Sequence, residues 1–338
     1  MENKYNQALP LYRQEASFSN LGLEISRQNM ANWIVQGAEK WLTPLYDRMQ
    51  VYLKEAPIIH ADESPLKVLD EKDRSKSYMW LYATAKTHNH PIYLYEYQPS
   101  RAQKHPKNFL EGFEGFLQTD GYPGYNAVQQ VTSVGCMAHA RRPYTEALKA
   151  LPQDAEASRT KANEGLAFIN QLYRLEKSFE QNALDTQQRY EARQRESVPV
   201  LLAYKDWLAV QEKKTLPKSK LGKAIGYSLK QWDKLTAFTK DGRLAIDNNL
   251  AERAIKPFVI GRKNYLFSKS PKGATASAIC YSIIETAKAN KLNPFQYLNY
   301  LFEQLPNTDI EDPKSLDAYL PWAKTIPDEI KHKTQKDT

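Results

Sequence analysis

Three short blocks hold the residues best suited to chemistry: His60-Ala61-Asp62-Glu63-Ser64, Gln118-Thr119-Asp120-Gly121-Tyr122 and Asp247-Asn248-Asn249-Leu250-Ala251-Glu252-Arg253. Asp62, Asp120 and Glu252 are the carboxylates that a fold can bring to a common point. Carboxylate oxygens are hard ligands that suit Mg²⁺, and two such ions about 3.5–4 Å apart can clamp the attacking and leaving oxygens of an in-line displacement. In a basic chain this donor set points to a phosphodiester as the reacting group. Each acid also has an ordinary alternative. Asp62 can be a turn acid before Pro65, and Asp120-Gly121 is a common turn dipeptide. Asn249-x-x-Glu252 has the spacing of a capping box, and Glu252 with Lys256 forms an i,i+4 pair.

Other chemistries find less support. Cys136-Met137-Ala138-His139 has metal-like spacing, but without a second nearby cysteine it is at most half a zinc site, and a structural or substrate-side role suits it better. No Gly-rich phosphate loop or Gly-x-Ser-x-Gly elbow occurs. The chain has two cysteines, Cys136 and Cys280, which excludes a disulfide framework and fits a reducing cytoplasm. Its first residues lack the layout of a signal peptide, and no apolar run approaches the ~18 residues of a membrane span. The net charge of +8 is concentrated: Lys218 to Lys263 carries 11 Lys/Arg against 4 Asp/Glu, with Glu252 inside the run. Such a stretch is either a solvated face or the footprint of a polyanion. Arg141 and Arg142 stand where they can meet phosphates.

The elements that must position these residues change character along the chain. Residues 1–56 read as helical. Ser19–Leu23 forms a turn, and Ser26 caps a helix through Met30, Trp33 and Ile34. That pair fits either a helical hairpin on the core or a helix-turn-helix with Arg27, Gln28 and Asn29 at the start of the recognition helix. Residues 57–152 read β-β-β-α-β-α-β-α, a mixed sheet flanked by helices. Asp62 is expected at the end of a short strand from Ile58, and Asp120 at the end of the strand from Gly115. A helix is expected from Arg101 to Phe113. Residues 153–243 read as helical without interruption to Val198. Residues 244–263 carry Glu252 on a helix. In residues 264–338, Asn293-Pro294 starts a new helix, and the last 30 residues are expected to trail over the surface.

The flanks of the acids carry a resemblance. His60-Ala61-Asp62-Glu63-Ser64-Pro65-Leu66-Lys67-Val68 followed by Tyr78-Met79-Trp80 resembles the first catalytic block of insertion sequence 66 family transposases. Leu117 to Asn126 resembles the second, and Asp247 to Pro257 continuing through Gly261-Arg262-Lys263-Asn264 the third. Gly135 to Arg142 and Leu9 to Glu15 match further blocks, so five fall in the family's order between Leu9 and Leu305. Met137 stands where the family usually has Trp, and Pro143 interrupts its basic-aromatic continuation.

The resemblance implies a DDE transposase with an RNase H-like core, using Mg²⁺ or Mn²⁺ held by Asp62, Asp120 and Glu252 for DNA cleavage and strand transfer. Residues 153–243 would be the family's helical insertion. Arg141, Arg142, Arg253, Lys256, Arg262 and Lys263 would hold DNA backbone. DNA ends and target are the implied partners, with a homodimer on DNA and accessory element-encoded proteins. The family's leucine-rich and zinc-ribbon-like N-terminal region has no counterpart before Leu9. The alternatives are a truncated or inactive remnant that only binds DNA, and a metal-dependent nuclease without strand transfer.

Overall fold

Runs of β-branched and aromatic residues become strands here because each finds a partner of matching length. β1 (Ile58–Leu66), β2 (Ser77–Thr84) and β3 (Tyr93–Gln98) form an antiparallel meander, with Asp62 opposite Leu81 and Leu81 opposite Tyr95. β4 (Gly115–Gln118) and β5 (Val131–Val134) are parallel, with Gln118 opposite Val134. The strand order is β3-β2-β1-β4-β5, a mixed sheet flanked by helices in the α/β, RNase H-like manner. The computed structural model describes residues 1–71, 76–150, 158 and 160–331.

Helices α1 (Glu2–Tyr5), α2 (Leu11–Asn20), α3 (Arg27–Gly37) and α4 (Thr43–Glu55) precede the sheet. α5 (Lys104–Phe109) lies between β3 and β4, and α6 (Met137–Lys149) follows β5. Next come α7 (Lys161–Gln181), α8 (Thr186–Ala192), α9 (Val198–Lys214), α10 (Lys220–Lys230) and α11 (Trp232–Thr236). α12 (Asn249–Ala254), α13 (Lys256–Tyr265), α14 (Pro271–Ala289), α15 (Pro294–Gln304) and α16 (Pro313–Asp317) complete the run. Among the described residues no helix is long and apolar enough to cross a membrane. The chain divides into two compact units: Met1–Glu114 with Ala127–Gln129 and Leu250–Thr338, and Gly115–Asn126 with Gln130–Asn249.

In the first unit, local signals start the helices where expected. Ser26 Oγ accepts the Asn29 N–H at 3.2 Å, and Asn293 Oδ1 accepts those of Phe295 and Gln296 at 3.0 and 3.2 Å. Met30 and Ile34 turn inward, but Trp33 is 57% exposed, so the apolar stripe of α3 is narrower than its spacing suggests. α14 is buried almost all round, as a helix apolar on every face must be. It also satisfies the backbone of β3: the N–H groups of Tyr95 and Tyr93 donate to Ser282 Oγ and Thr286 Oγ1 at 2.8 and 3.0 Å. Backbone polar groups at a sheet edge need such partners when a helix covers them.

Two expectations for this unit are corrected. Asp62 is not at a strand end, because pairing with the eight-residue β2 carries β1 on to Leu66. The chain from residue 309 to Lys331 does not trail over the surface. Leu316, Leu320, Ile326 and Ile330 are buried, Arg48 Nε donates to Asp317 Oδ1 at 2.6 Å, and Trp322 packs edge-on against Tyr52. Apolar residues spaced through a Pro- and Asp-rich segment can anchor it without forming a long helix. Residues 332–338 lie outside the described residues. The helix expected from Arg101 to Phe113 is confined to α5.

In the second unit, α6, α7, α9 and α10 share an aromatic core. Tyr204 Oη donates to Tyr144 Oη at 2.9 Å and lies 3.0 Å from Ser228 Oγ, with Phe168 stacked on the Tyr204 ring. The helical run expected through Val198 is broken at Asn182–Asp185. Ala183 takes a φ of 51° and Asp185 starts α8 with a capping box to Gln188. The first residues of that run, 153–157 and 159, lie outside the described residues. A buried Arg193 then organises the chain before Asp247. It pairs with Glu176 at 2.8 and 2.7 Å, and donates to the carbonyls of Phe238, Asp241 and Leu244 at 2.7, 2.8 and 2.8 Å.

Candidate functional site

The first unit holds Asp62 and Glu252. Asp62, Leu81 and Tyr95 are paired across three strands, and residues so paired project from one face of a sheet. From that face the Tyr95 hydroxyl donates to the Ala254 carbonyl, which fixes α12 over it. Glu252 lies in the first turn of α12. The first acid of the sequence reading is therefore on β1, and the third is on a helix tied to the same sheet through Tyr95 of β3. The α13 helix is tied to the same strand, since Arg262 Nη1 donates to Ser64 Oγ at 3.3 Å and to the Pro65 carbonyl. Asp62 is half-buried, and its Oδ1 accepts the Glu63 N–H at 2.9 Å. Glu63 projects from the opposite face, and its side chain is 1% exposed and held by Arg101, with Nε at 2.7 Å. A buried carboxylate paired in this way is a structural group.

The second unit holds Asp120. It follows β4 by two residues, and Gly121 turns the chain with a φ of 93°. Its Oδ1 accepts the Tyr122 N–H at 2.8 Å, and its carbonyl accepts from Tyr227 Oη at 2.9 Å. Burial pushes the Tyr227 phenol well above its usual range, helped by the electrostatic influence of Cys136 and Asp120 and opposed by Arg142.

The sequence reading missed the partners that bring the Asp247 segment to this place. Gln118, a buried polar residue on β4, donates through Nε2 to the carbonyls of Ala245 and Asp247 at 2.7 and 3.0 Å. Asp247 Oδ2 accepts from Tyr173 Oη at 3.0 Å and Asn249 Nδ2 at 2.7 Å. Asn249 is thus the first residue of α12 with its amide turned to Asp247, rather than a cap over the next turn. Burial and the Asp247 charge push the Tyr173 phenol up. Cys136 is buried and its Sγ accepts the Asn248 N–H at 3.2 Å. A polar Gln in an otherwise apolar strand was the available signal for this network.

The cationic candidates divide between the units. Arg141 and Arg142 are exposed on α6, with the Arg141 guanidinium 5.8 Å from the Tyr173 ring centre. Arg253, Lys256 and Lys263 are exposed in the first unit, and burial lowers the pKa of Arg262. The carboxylates fit a hard divalent cation by donor type. Among the described residues Asp120 has no ion pair, and its Oδ1 takes a single backbone N–H, so its oxygens retain acceptor capacity.

Residues 1–276 match the family model described as Transposase IS66 family, and residues 282–322 match the IS66 C-terminal element. Two uncharacterized proteins of Sinorhizobium fredii, y4jD and y4qI, are 30% and 31% identical over 337 and 341 residues. Each alignment covers 95% of this chain but only 64% and 60% of the relative, so the chain spans about three fifths of their length.

Proposed function

The chain belongs to the Transposase IS66 family, and from that membership we propose that it catalyses metal-dependent cleavage and strand transfer of insertion-sequence DNA. Asp62, Asp120 and Glu252 are the three metal-holding acids of this reading. The observation that supports it most is the placement of Asp62: mid-strand, half-buried, and on the sheet face from which Tyr95 of β3 binds the Ala254 carbonyl of α12. A bound Mg²⁺ or Mn²⁺ supplies an activated oxygen nucleophile at neutral pH and neutralises charge building on the phosphate. Asp62, Asp120 and Glu252 would hold the cation. The strand is cut by water adding to phosphorus as the P–O bond to the 3′-oxygen breaks, leaving a 3′-hydroxyl. That hydroxyl then loses its proton and attacks a target phosphodiester, displacing the target's own 3′-oxygen. Arg141, Arg142, Arg253, Lys256, Arg262 and Lys263 hold the backbone in a sequence-independent, salt-sensitive way.

The test is Asp120→Asn, which keeps the size of the side chain and removes its charge. Mg²⁺-dependent cleavage should fall by about 10²-fold or more, the scale for loss of one transition-state electrostatic partner, while DNA binding stays nearly unchanged. Full cleavage in that variant would overturn the assignment. Cleavage by the parent protein without joined donor–target products would identify a nuclease, and salt-dependent binding without any cleavage a DNA-binding remnant.

A further inference from the structure

An open groove of about 360 Å³ lies in the first unit. The end of β1, the residue before β2 and the last turn of α13 form its walls, and Lys67, Lys76, Arg262 and Lys263 line it with Leu66 and Leu266. No acidic side chain lines it among the described residues. Asp70 and Glu71, the described acids that follow Lys67, lie outside the lining, and Glu71 accepts from Tyr97 Oη at 3.0 Å.

The walls are fixed by backbone bonds. The Ser268 N–H donates to the Lys67 carbonyl at 2.9 Å, and the Leu69 N–H to the Ser268 carbonyl at 3.0 Å. Leu266 ends α13 with a φ of 65°, a conformation that L-residues rarely adopt, and stays 66% exposed beside the cations. Arg262 is pre-set. Its Nη1 is anchored on Ser64 and Pro65, while Nε and Nη2 make no hydrogen bond and no carboxylate pairs with it among the described residues. Those two nitrogens form the fork that matches two phosphate oxygens.

We propose that this groove seats a backbone phosphate of DNA, with the open edge of Arg262 on the phosphate oxygens and Lys67, Lys76 and Lys263 around it. The inference rests on the DNA reading above and adds Lys67 and Lys76 to the interface. The four like charges of Lys67, Lys76, Arg262 and Lys263 repel one another, and a phosphate relieves that repulsion. The openness of the groove suits a strand passing through it, and the exposed Leu266 offers an apolar shelf for a sugar.

The test is duplex binding by fluorescence anisotropy across a NaCl series, for the parent chain, Lys67→Ala/Lys76→Ala, Arg262→Lys, and Arg141→Ala/Arg142→Ala. The lysine pair should flatten the slope of log K against log[salt] by about 1, near the ~0.9 expected per phosphate contact, equally on unrelated sequences. Arg262→Lys should weaken binding with little change of slope, because charge is kept and the fork is lost. Unchanged thermal melting of the lysine variant excludes unfolding as the cause. An unchanged slope and affinity in the lysine variant, with binding lost in the Arg141/Arg142 variant, would overturn the groove and leave the DNA reading standing. No duplex binding by the parent would overturn both. Inorganic phosphate displacing DNA from the parent and the lysine variant alike would also overturn the groove, whereas weaker displacement from the variant supports it.

Discussion

At the scale of single residues, neighbouring acids are put to different uses by their surroundings. Asp62 is half-buried in the middle of β1, while Glu63, one residue on, is buried against Arg101. Glu96 shows what burial does to an acid whose hydrogen-bond partners, Gln98 and Tyr82, are uncharged. Its pKa is pushed up to about 7 by burial, against hydrogen bonds from Gln98 and Tyr82. The proton is then held more tightly in the folded chain than at the unfolded value of 4.5. Stability from this group is therefore full below pH 4.5 and falls as pH rises towards about 7. The expected total is about 3 kcal/mol. Glu96→Gln should flatten the dependence of the urea midpoint on pH between 5 and 8 and leave the variant more stable than the parent at pH 8. An unaltered pH slope would show that Glu96 ionises freely in the fold.

At the scale of elements, side chains far from the acids decide where the acid-bearing segments run. Arg193 is fully buried, and its guanidinium holds three carbonyls of the chain that leads to Asp247. Arg193→Met should destabilise by about 3–5 kcal/mol, since Glu176 is left as an uncompensated charge. Amide exchange across residues 238–244 should accelerate more than elsewhere in the second unit, and uniform protection would refute this anchoring role. Ser282→Ala removes the acceptor of the Tyr95 N–H on β3 and should cost about 1–3 kcal/mol by urea unfolding. A cost near zero would mean that another acceptor takes over that N–H. Neither partnership was legible in the sequence. Arg193 looks like one more charge on a polar helix, and Ser282 like a small residue in an apolar one.

At the scale of the whole molecule, two compact units are built from interleaved stretches of one chain, and the last described residues belong to the first of them. Leu316, Leu320, Ile326 and Ile330 are each at most 4% exposed. Ending the chain at Asn307 should remove about 6–12 kcal/mol of apolar burial. The melting temperature should fall clearly, and a truncated chain that melts like the parent would show this segment to be dispensable. The sequence by itself determined what depends on neighbours along the chain: the caps at Ser26 and Asn293, the β-β-β meander, and the flanks of the acids that carry the family resemblance. Caps, pleat alternation and short motifs act within a few residues, so the local pattern contains them. Only the tertiary structure decided that β1 continues past Asp62, that Gln118 holds the Asp247 segment, that Arg262 keeps an open fork, and that the Pro-rich end folds back. Each of these depends on a partner remote in sequence, and whether such a pairing forms is set by the packing of the folded chain rather than by local periodicity.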